Sequence, residues 1–241
     1  MISKFTIMLA AVAAVSVFSG IGAVSAYAEG HPEFVPGRGS YGINFTTKGG
    51  GSFKYLWAGG GEMECESAKA TGEIVNKTTV EKVVVTAHKC TSEVLFGFGR
   101  KTCSNNSEGN LVTEPLKGHI GYIESPNLHN KVGLELEGEA APGHGEEPLY
   151  AMFHCTSYFG FHIRGHLIGL IVSELNKQLT VFQIEYNSAL GEQSPNTMEG
   201  LTKQQLVSQL NEKVERENVA VGQIVTATIS PEGETIEIKT K

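Results

Sequence analysis

The sequence predicts a mainly β protein that folds as a single-domain antiparallel β-sandwich or β-barrel. From residue 43 onward, short runs rich in Val, Ile, Thr, Phe and Tyr recur between turns rich in Gly, Asn, Pro and Ser. Helical periodicity is found in one segment, near residues 201–217, so the predicted fold includes one possible helix there. Four cysteines in the β-rich part fit the two disulfides of an exported domain.

The chain begins with the features of a secretory signal peptide. Lys4 precedes an apolar run over residues 5–24, and Ala26-Tyr27-Ala28 offers a small-x-small cleavage motif. The alternative is a retained membrane helix, but the run is rich in Ala, Gly and Ser and lacks a basic stop-transfer flank. No later segment approaches the ~20 apolar residues that cross a bilayer. We therefore expect residues 1–28 to be removed and the mature chain to be secreted without a transmembrane segment.

The mature chain divides into an arm and a domain. Residues 29–42 are rich in Gly and Pro and are expected to form an irregular N-terminal arm, followed by one β-rich domain over residues 43–241. Hairpin turns are expected at Asn76-Lys77 and near Asn176-Lys177. The expected strands are 43–47, 53–57, 62–75, 79–89, 94–98, 110–113, 118–124, 131–137, 148–155, 160–172, 178–186, 220–229 and 234–240.

Residues 201–217 carry the local pattern of a helix. Thr202 suits an N-cap, and Gln205 three residues later completes a capping box. Leu206, Leu210 and Val214 then follow at helical spacing. These features favour one helix among the strands.

The four cysteines are expected to form two disulfides, because their spacing fits no zinc module and includes no C-x-x-C. The first expected hairpin places position 65 opposite position 88, so Cys90 lies on a diagonal roughly 7–8 Å away. Disulfide Cα atoms usually lie within about 6.8 Å of each other. We therefore favour Cys90–Cys103 with Cys65–Cys155. The alternative is Cys65–Cys90 with Cys103–Cys155, since sheet twist or a bulge would shorten the diagonal.

Charge and acid content exclude several functions. The formal net charge is −7 and basic clusters are missing from the sequence, which argues against nucleic-acid binding and against charge-driven binding to anionic membranes. All 26 acidic residues are glutamate. Asp-containing catalytic triads, the aspartic-protease dyad and Asp-rich calcium loops are therefore excluded. Catalysis by a pair of glutamates, as in glycosidases, is not excluded by this composition.

One expected strand carries three basic side chains on a single face. In "GFHIRGHLIGLIV" (160–172), His162, Arg164 and His166 are two residues apart, which places them on the same side of an extended chain. Two imidazoles about 7 Å apart would share a metal if a third ligand such as His119 approached. No H-E-x-x-H motif accompanies them. We expect a solvated strand face that binds no metal and no cofactor, and we assign no catalytic residue.

Phe53, Tyr55 and Trp57 alternate along "FKYLW" and share one strand face. Such a stripe is either an exposed platform that stacks on sugar rings or a part of the core. Burial is the commoner reason, so these three residues are weak candidates for ligand binding. The segment "SYFGF" (157–161) poses the same alternatives at an expected turn, where exposure is more frequent.

Several distinct short motifs are spread from about residue 62 to the end of the chain. They are Cys65 followed by Gly72-Glu73-Ile74, "VVVTAHKC" ending at Cys90, then Cys103, "LKGHIGYI" (116–123), "VGLEL" (132–136), Phe153-His154-Cys155, "GHLIG" (165–169) and "IEIK" (236–239). In these motifs the chain resembles a numerous set of uncharacterised secreted proteins of soil actinobacteria. The resemblance implies a secreted, disulfide-bearing, β-rich domain without an assigned activity, so no functional residue is carried over. It also implies an extended chain over residues 205–229, so helix and strand remain alternatives for 201–217.

Three functional classes remain after these exclusions. The first, which we favour, is a secreted, non-catalytic extracytoplasmic protein that binds a surface or a protein partner. The second is a carrier of a small apolar ligand in a barrel cavity, and the third is a glycan-active enzyme that uses a glutamate pair. The volume of an internal cavity would distinguish the second class. A glutamate pair roughly 5–9.5 Å apart in an aromatic-lined cleft would favour the third.

Overall fold

The prediction of a mainly β protein is confirmed. The computed structural model describes residues 30–49, 51–92, 99–124, 128, 130–138, 147–156, 159–189, 191–199, 203–210, 216–230 and 234–240. Within these residues the regular elements are all β-strands, paired in a large antiparallel sheet and a small one. The expected signal peptide, residues 1–28, lies outside the described residues.

Nineteen strands are found in the described part of the chain. They are β1 (Glu33–Pro36), β2 (Ile43–Gly49), β3 (Phe53–Trp57), β4 (Glu62–Cys65), β5 (Ser67–Ile74), β6 (Thr79–His88), β7 (Cys90–Ser92), β8 (Lys101–Cys103), β9 (Leu111–Val112), β10 (Leu116–Tyr122), β11 (Val132–Gly138), β12 (Leu149–Thr156), β13 (Phe159–Ile171), β14 (Gln178–Leu179), β15 (Val181–Ala189), β16 (Glu192–Ser194), β17 (Leu206–Leu210), β18 (Arg216–Ser230) and β19 (Ile236–Lys239).

Strand pairing in the large sheet closes a ring of eight strands, which we call the first barrel. The antiparallel order is β18-β2-β5-β6-β10-β11-β13-β15, and β15 pairs again with β18. A barrel of this size has room for side chains or for one small ligand. Closure also removes the open sheet edges that would otherwise invite aggregation.

A second ring, the second barrel, shares two strands with the first. Its antiparallel order is β12-β13-β17-β18-β3-β4-β7-β8. The seam between β8 and β12 is joined by the bridge between Ser104 and His154, whose two backbone hydrogen bonds are 2.9 and 3.0 Å long. The long strands β13 and β18 pass from one barrel to the other.

Glycine lies where the long strands change barrel. In β13 the pairing partners change after Gly165, whose φ of 103° is accessible to glycine but strained for other residues. A Cβ atom at this position would collide with the carbonyl oxygen of Gln205. In β18 the partners change after Gly222. Gly165 therefore allows a close backbone approach at the junction of the barrels.

Part of the N-terminal arm is regular, contrary to the expectation that residues 29–42 are irregular. Strand β1 pairs with β19, which also pairs with β14, and these strands form the small sheet. Phe34, Ile236 and Ile238 are buried in the same core as the barrels. The alternation of Phe34 and Pro36 with half-buried neighbours is too short to be distinguished from a loop, and the pairing partner is about 200 residues away in sequence.

The expectation of a helix near 201–217 is wrong for the described part of that segment. Residues 206–210 form β17, which pairs with β13 on one side and with β18 on the other. Gln205 donates hydrogen bonds to the carbonyl oxygens of Gly191 and Val219 instead of completing a capping box. Thr202 lies outside the described residues. Pairing on both edges satisfies the backbone of this short segment and overrides its local helical preference.

The favoured disulfide pairing is wrong and the alternative is correct. Cys65 is bonded to Cys90 and Cys103 to Cys155, with a Cα–Cα distance of 3.9 Å in each pair. Cys90 and Cys103 do lie directly opposite each other on β7 and β8, but each sulfur bonds to a different partner.

The register of the β5–β6 hairpin explains this error. Near the turn Ile74 pairs with Val80, one position further along β6 than a turn centred between residues 76 and 77 would give. A bulge between residues 71 and 73 shifts the register by one more position, so Ser67 pairs with His88. Continued by two residues, this register brings position 65 opposite position 90.

The described residues contain no helix that is long and apolar enough to cross a membrane.

Candidate functional site

The three basic residues of "GFHIRGHLIGLIV" are half-buried and occupy alternate positions of β13. The change of barrel at Gly165 separates them: His162 and Arg164 pair within the second barrel, and His166 within the first. Arg164 donates a hydrogen bond from Nη1 to the carbonyl oxygen of Glu147. The three side chains therefore share a strand but not one environment.

His166 belongs to a cluster that sequence reasoning did not assemble. Glu135 on β11 is only 1% exposed and lies between two imidazoles. Its Oε1 is 2.7 Å from Nδ1 of His166, and its Oε2 is 2.8 Å from Nδ1 of His119. Glu137 approaches the same His166 nitrogen at 3.4 Å and also pairs with Lys117 at 3.3 Å. Basic and acidic side chains thus alternate across β10, β11 and β13.

The cluster holds Glu135 in its ionised form. Burial raises the pKa of this carboxyl group, but the hydrogen bonds and charges of His119 and His166 outweigh burial and lower the pKa to about 2. The hydrogen bond to Glu135 raises the pKa of His166 against the effect of burial, which lowers it. Glu135 and His166 therefore each stabilise the charged form of the other.

The segment 191–199 covers this side of the first barrel. Gln193, 2% exposed, donates to the carbonyl oxygens of His166 and Gln204 and accepts from the backbone N–H of Ile168. Met198 is fully buried in a small cluster with Ile123 and Ile168. This cover explains why β11 is buried on both of its faces.

The arrangement of the cluster suits a structural ion network better than a metal centre. Both rings direct Nδ1 to the same carboxylate and reach it from strands on either side of β11. Within the described ranges, no group of three or more His, Cys, Asp or Glu side chains is placed to hold a metal ion. The expectation that the protein binds no metal stays a prediction.

The aromatic stripe is core, so its role as an exposed platform for sugar rings is excluded. Phe53, Tyr55 and Trp57 are 4%, 0% and 3% exposed. The Tyr55 ring lies 6.0 Å from that of Phe153, and the Trp57 ring 5.7 Å from that of Phe161. Residues 157 and 158 of "SYFGF" lie outside the described residues. Among the residues that the structure describes, these rings fill the interior of the second barrel and none of them presents an accessible face.

The first barrel is also nearly filled. Its interior retains a cavity of about 40 Å³, lined by β2, β5, β6, β11, β13, β15 and β18, with Phe53 and Tyr150 toward the second barrel. Small-molecule sites usually measure ~300–1,000 Å³. A volume of this size holds a few water molecules at most.

A larger concave feature lies outside the first barrel, and we call it the polar groove. It is open to solvent, has a volume of about 340 Å³ and is lined by Asn44, Phe45, Thr46, Thr71, Gly72, Glu73, Lys82 and Ser230. The polar side chains come from outward-facing positions of β18, β2, β5 and β6. Phe45 is buried beneath them, and its ring occupies the space that a side chain at position 72 would fill.

Lys82 reaches the polar groove from the bulge in β6. Its φ of 53° is unusual for a residue with a Cβ atom inside a strand. The Lys82 Nζ lies 2.7 Å from Oε2 of Glu73, and this hydrogen bond raises the pKa of Lys82. Backbone strain of this kind recurs at functional sites, where it places a side chain that regular geometry would direct elsewhere.

No protein-family model, curated protein or solved structure matches this chain in comparisons with known proteins.

Sequence reasoning missed both Glu135 and the polar groove. Alternation in "INFTTKG" and "SAKATGEI" would have placed Asn44 and Thr46, and Thr71 and Glu73, on outward faces. Nothing in the sequence indicates that β2 lies between β18 and β5, or that Lys82 occupies a bulge. The groove follows from register and bulge together.

Proposed function

We propose that the protein is a secreted, non-catalytic extracytoplasmic protein that binds a surface or a partner through the outside of its barrels. The observation that carries this proposal is the contrast between interior and exterior. The interior cavity measures about 40 Å³, whereas the polar groove on the outside measures about 340 Å³. Binding by the outer face is therefore better supported than binding inside a barrel.

Export is supported by the cysteines and by the start of the chain. Two disulfides join the four cysteines, and such bonds persist in oxidising compartments. The signal-peptide features of residues 1–28 and the resemblance to secreted actinobacterial proteins agree with export. The N-terminus of secreted protein is expected at Glu29, which N-terminal sequencing would test.

The absence of catalysis is supported by the state of the reactive groups in the described structure. All four cysteines are oxidised, so no free thiolate is available among them. Glu135 is buried and its two oxygens are each bonded to a histidine, which leaves it poorly placed to exchange protons with a substrate. The unusual pKa values of this cluster are accounted for by its ion pairs.

The two alternative functions have less support. A carrier of an apolar ligand needs a cavity several times larger than the one in the first barrel. A glycan-active enzyme would need a glutamate pair in an aromatic-lined cleft, and the aromatic stripe of Phe53, Tyr55 and Trp57 is buried.

Co-sedimentation tests the proposed function. The mature protein would be incubated with purified peptidoglycan sacculi, chitin and cellulose, and the bound fraction and the sugars released would be measured. We expect adsorption to at least one of these surfaces with no sugar release. Release of reducing sugars would favour a glycan-active enzyme instead. If the protein adsorbed to none of the three surfaces, surface binding would be contradicted.

A further inference from the structure

We propose that the polar groove binds a neutral, polyhydroxylated ligand, namely a saccharide unit of a glycan. This inference rests on the proposed function and names the ligand class of its outer face. It is carried by three features of the groove: the grid of hydroxyl and amide groups, the ion pair at its end, and the balance of its charges.

The register of three neighbouring strands builds the grid. Thr46 on β2 lies directly opposite Thr71 on β5, and Asn44 lies directly opposite both Ser230 on β18 and Glu73 on β5. These positions face outward and, except for the half-buried Glu73, are exposed. Hydroxyl and amide groups each donate and accept hydrogen bonds, as sugar hydroxyls do. The grid therefore offers complementary partners to several adjacent sugar hydroxyls.

The Glu73–Lys82 pair adds directional groups at one end of the groove. One hydrogen bond joins them, at 2.7 Å. A carboxylate accepts about four hydrogen bonds and an ammonium group donates three, so both retain capacity toward a ligand. Charge-assisted hydrogen bonds of this type are roughly twice as strong as neutral ones. Lys82 lies at the bulge with a positive φ, and its ammonium group reaches the groove from there.

The charge balance of the groove decides between ligand classes. Its lining contains one carboxylate and one ammonium group, which cancel, in a chain whose formal net charge is −7. A phosphate or another anion would meet no excess of positive charge here. The only large apolar member of the lining, Phe45, is 4% exposed, so a lipid chain would meet mainly polar groups. A neutral polar ligand fits best.

NMR titration of the ¹⁵N-labelled mature protein tests this assignment. The probes would be chitotetraose and cellotetraose, with inorganic phosphate as the anionic comparison. We expect one of the two oligosaccharides to shift the amide signals of Thr46, Thr71 and Ser230, and phosphate to leave them in place. The assignment would be overturned if phosphate alone shifted these amide signals, or if none of the probes shifted them.

Two variants remove groove contacts without a core change. Thr71→Val deletes one hydroxyl and is expected to weaken oligosaccharide binding about tenfold, the value of one hydrogen bond. Lys82→Gly removes the ammonium group and relieves the positive φ, so a folding defect is not expected and affinity should fall by a similar factor. The matched control is Thr226→Val, a half-exposed β18 position outside the groove, which should bind as the unmodified protein does.

Failure of this inference is distinguishable from failure of the proposed function. If Thr71→Val and Lys82→Gly adsorb to sacculi, chitin or cellulose as well as Thr226→Val does, the groove is not the binding site, while surface binding stands. If neither the variants nor the unmodified protein adsorb to any of these surfaces, the proposed function fails as well.

Discussion

Removal of the Cys103–Cys155 disulfide is expected to open the seam of the second barrel. In the described residues, the seam between β8 and β12 is held by the Ser104–His154 bridge and by a side-chain hydrogen bond from Asn105 to the carbonyl oxygen of Met152. In that part of the chain, no strand ladder longer than this single bridge joins the two elements. The disulfide therefore supplies much of the closure, and the double substitution of Cys103 and Cys155 by Ala removes it.

The magnitude follows from the length of the closed loop. The Cys103–Cys155 bond spans 52 residues, and in the chain-entropy model its loss lowers the free energy of unfolding by about 4 kcal/mol. The matched control is the double substitution of Cys65 and Cys90, whose bond spans 25 residues and is worth roughly 3.5 kcal/mol on the same basis. Near that bond β4 pairs with both β3 and β7, so its neighbours stay paired.

Denaturant unfolding and hydrogen exchange separate the two effects. Trp57, the only tryptophan, is buried in the second barrel, so its fluorescence reports unfolding there. We expect a larger loss of stability in the Cys103/Cys155 variant, and faster exchange at the amides of Ser104 and His154 in that variant alone. Equal losses together with unchanged exchange at the seam would refute the reasoning.

Two further predictions concern the charged cluster and the barrel junction. Glu135, with a pKa of about 2 against an ordinary value of 4.5, contributes roughly 3 kcal/mol that is present above pH 4.5 and lost as the pH falls toward 2. The raised pKa of His166 gives stability that is present below pH 6.5 and lost as the pH rises through that raised value, so the cluster stabilises most between about pH 4.5 and 6.5. Urea unfolding across pH should show this window, and a Glu135→Gln variant that kept the acid-side loss would contradict it. Gly165→Ala is expected to lower the free energy of unfolding by at least ~3 kcal/mol, because the new Cβ meets the Gln205 carbonyl oxygen. The control Gly39→Ala, also at positive φ but in open space, should lower it by about 1 kcal/mol. Equal shifts of the thermal unfolding temperature in the two variants would contradict this expectation.

Much of the fold was predictable because burial on a strand has a period of two. Alternation over residues 53–57 and the apolar runs near 132–137 and 160–172 are local features, and each became a strand. The candidate site was less predictable. His166 was recognised from its spacing, but the partner that defines its environment, Glu135, comes from another strand and has no local signature among 26 glutamates.

The predictions were wrong where a local sequence preference competed with pairing between strands that are far apart in sequence. The helix pattern near 201–217 was outweighed by ladders to β13 and β18 on both edges of β17. The cysteine pairing was decided by a longer turn and by one bulged residue, Lys82, which together moved position 90 opposite position 65. A shift of one residue changes every pair in a ladder, so small irregularities decided the covalent connectivity.

The sequence by itself determined the β class, the alternation that buries Phe53, Tyr55 and Trp57, and the presence of cysteines able to form two disulfides. Only the tertiary structure decided that two barrels share β13 and β18, which cysteines are bonded, and which polar side chains meet in the groove. The physical reason is that strand periodicity is set by the local backbone, whereas strand order and register are set by pairs of residues far apart in sequence.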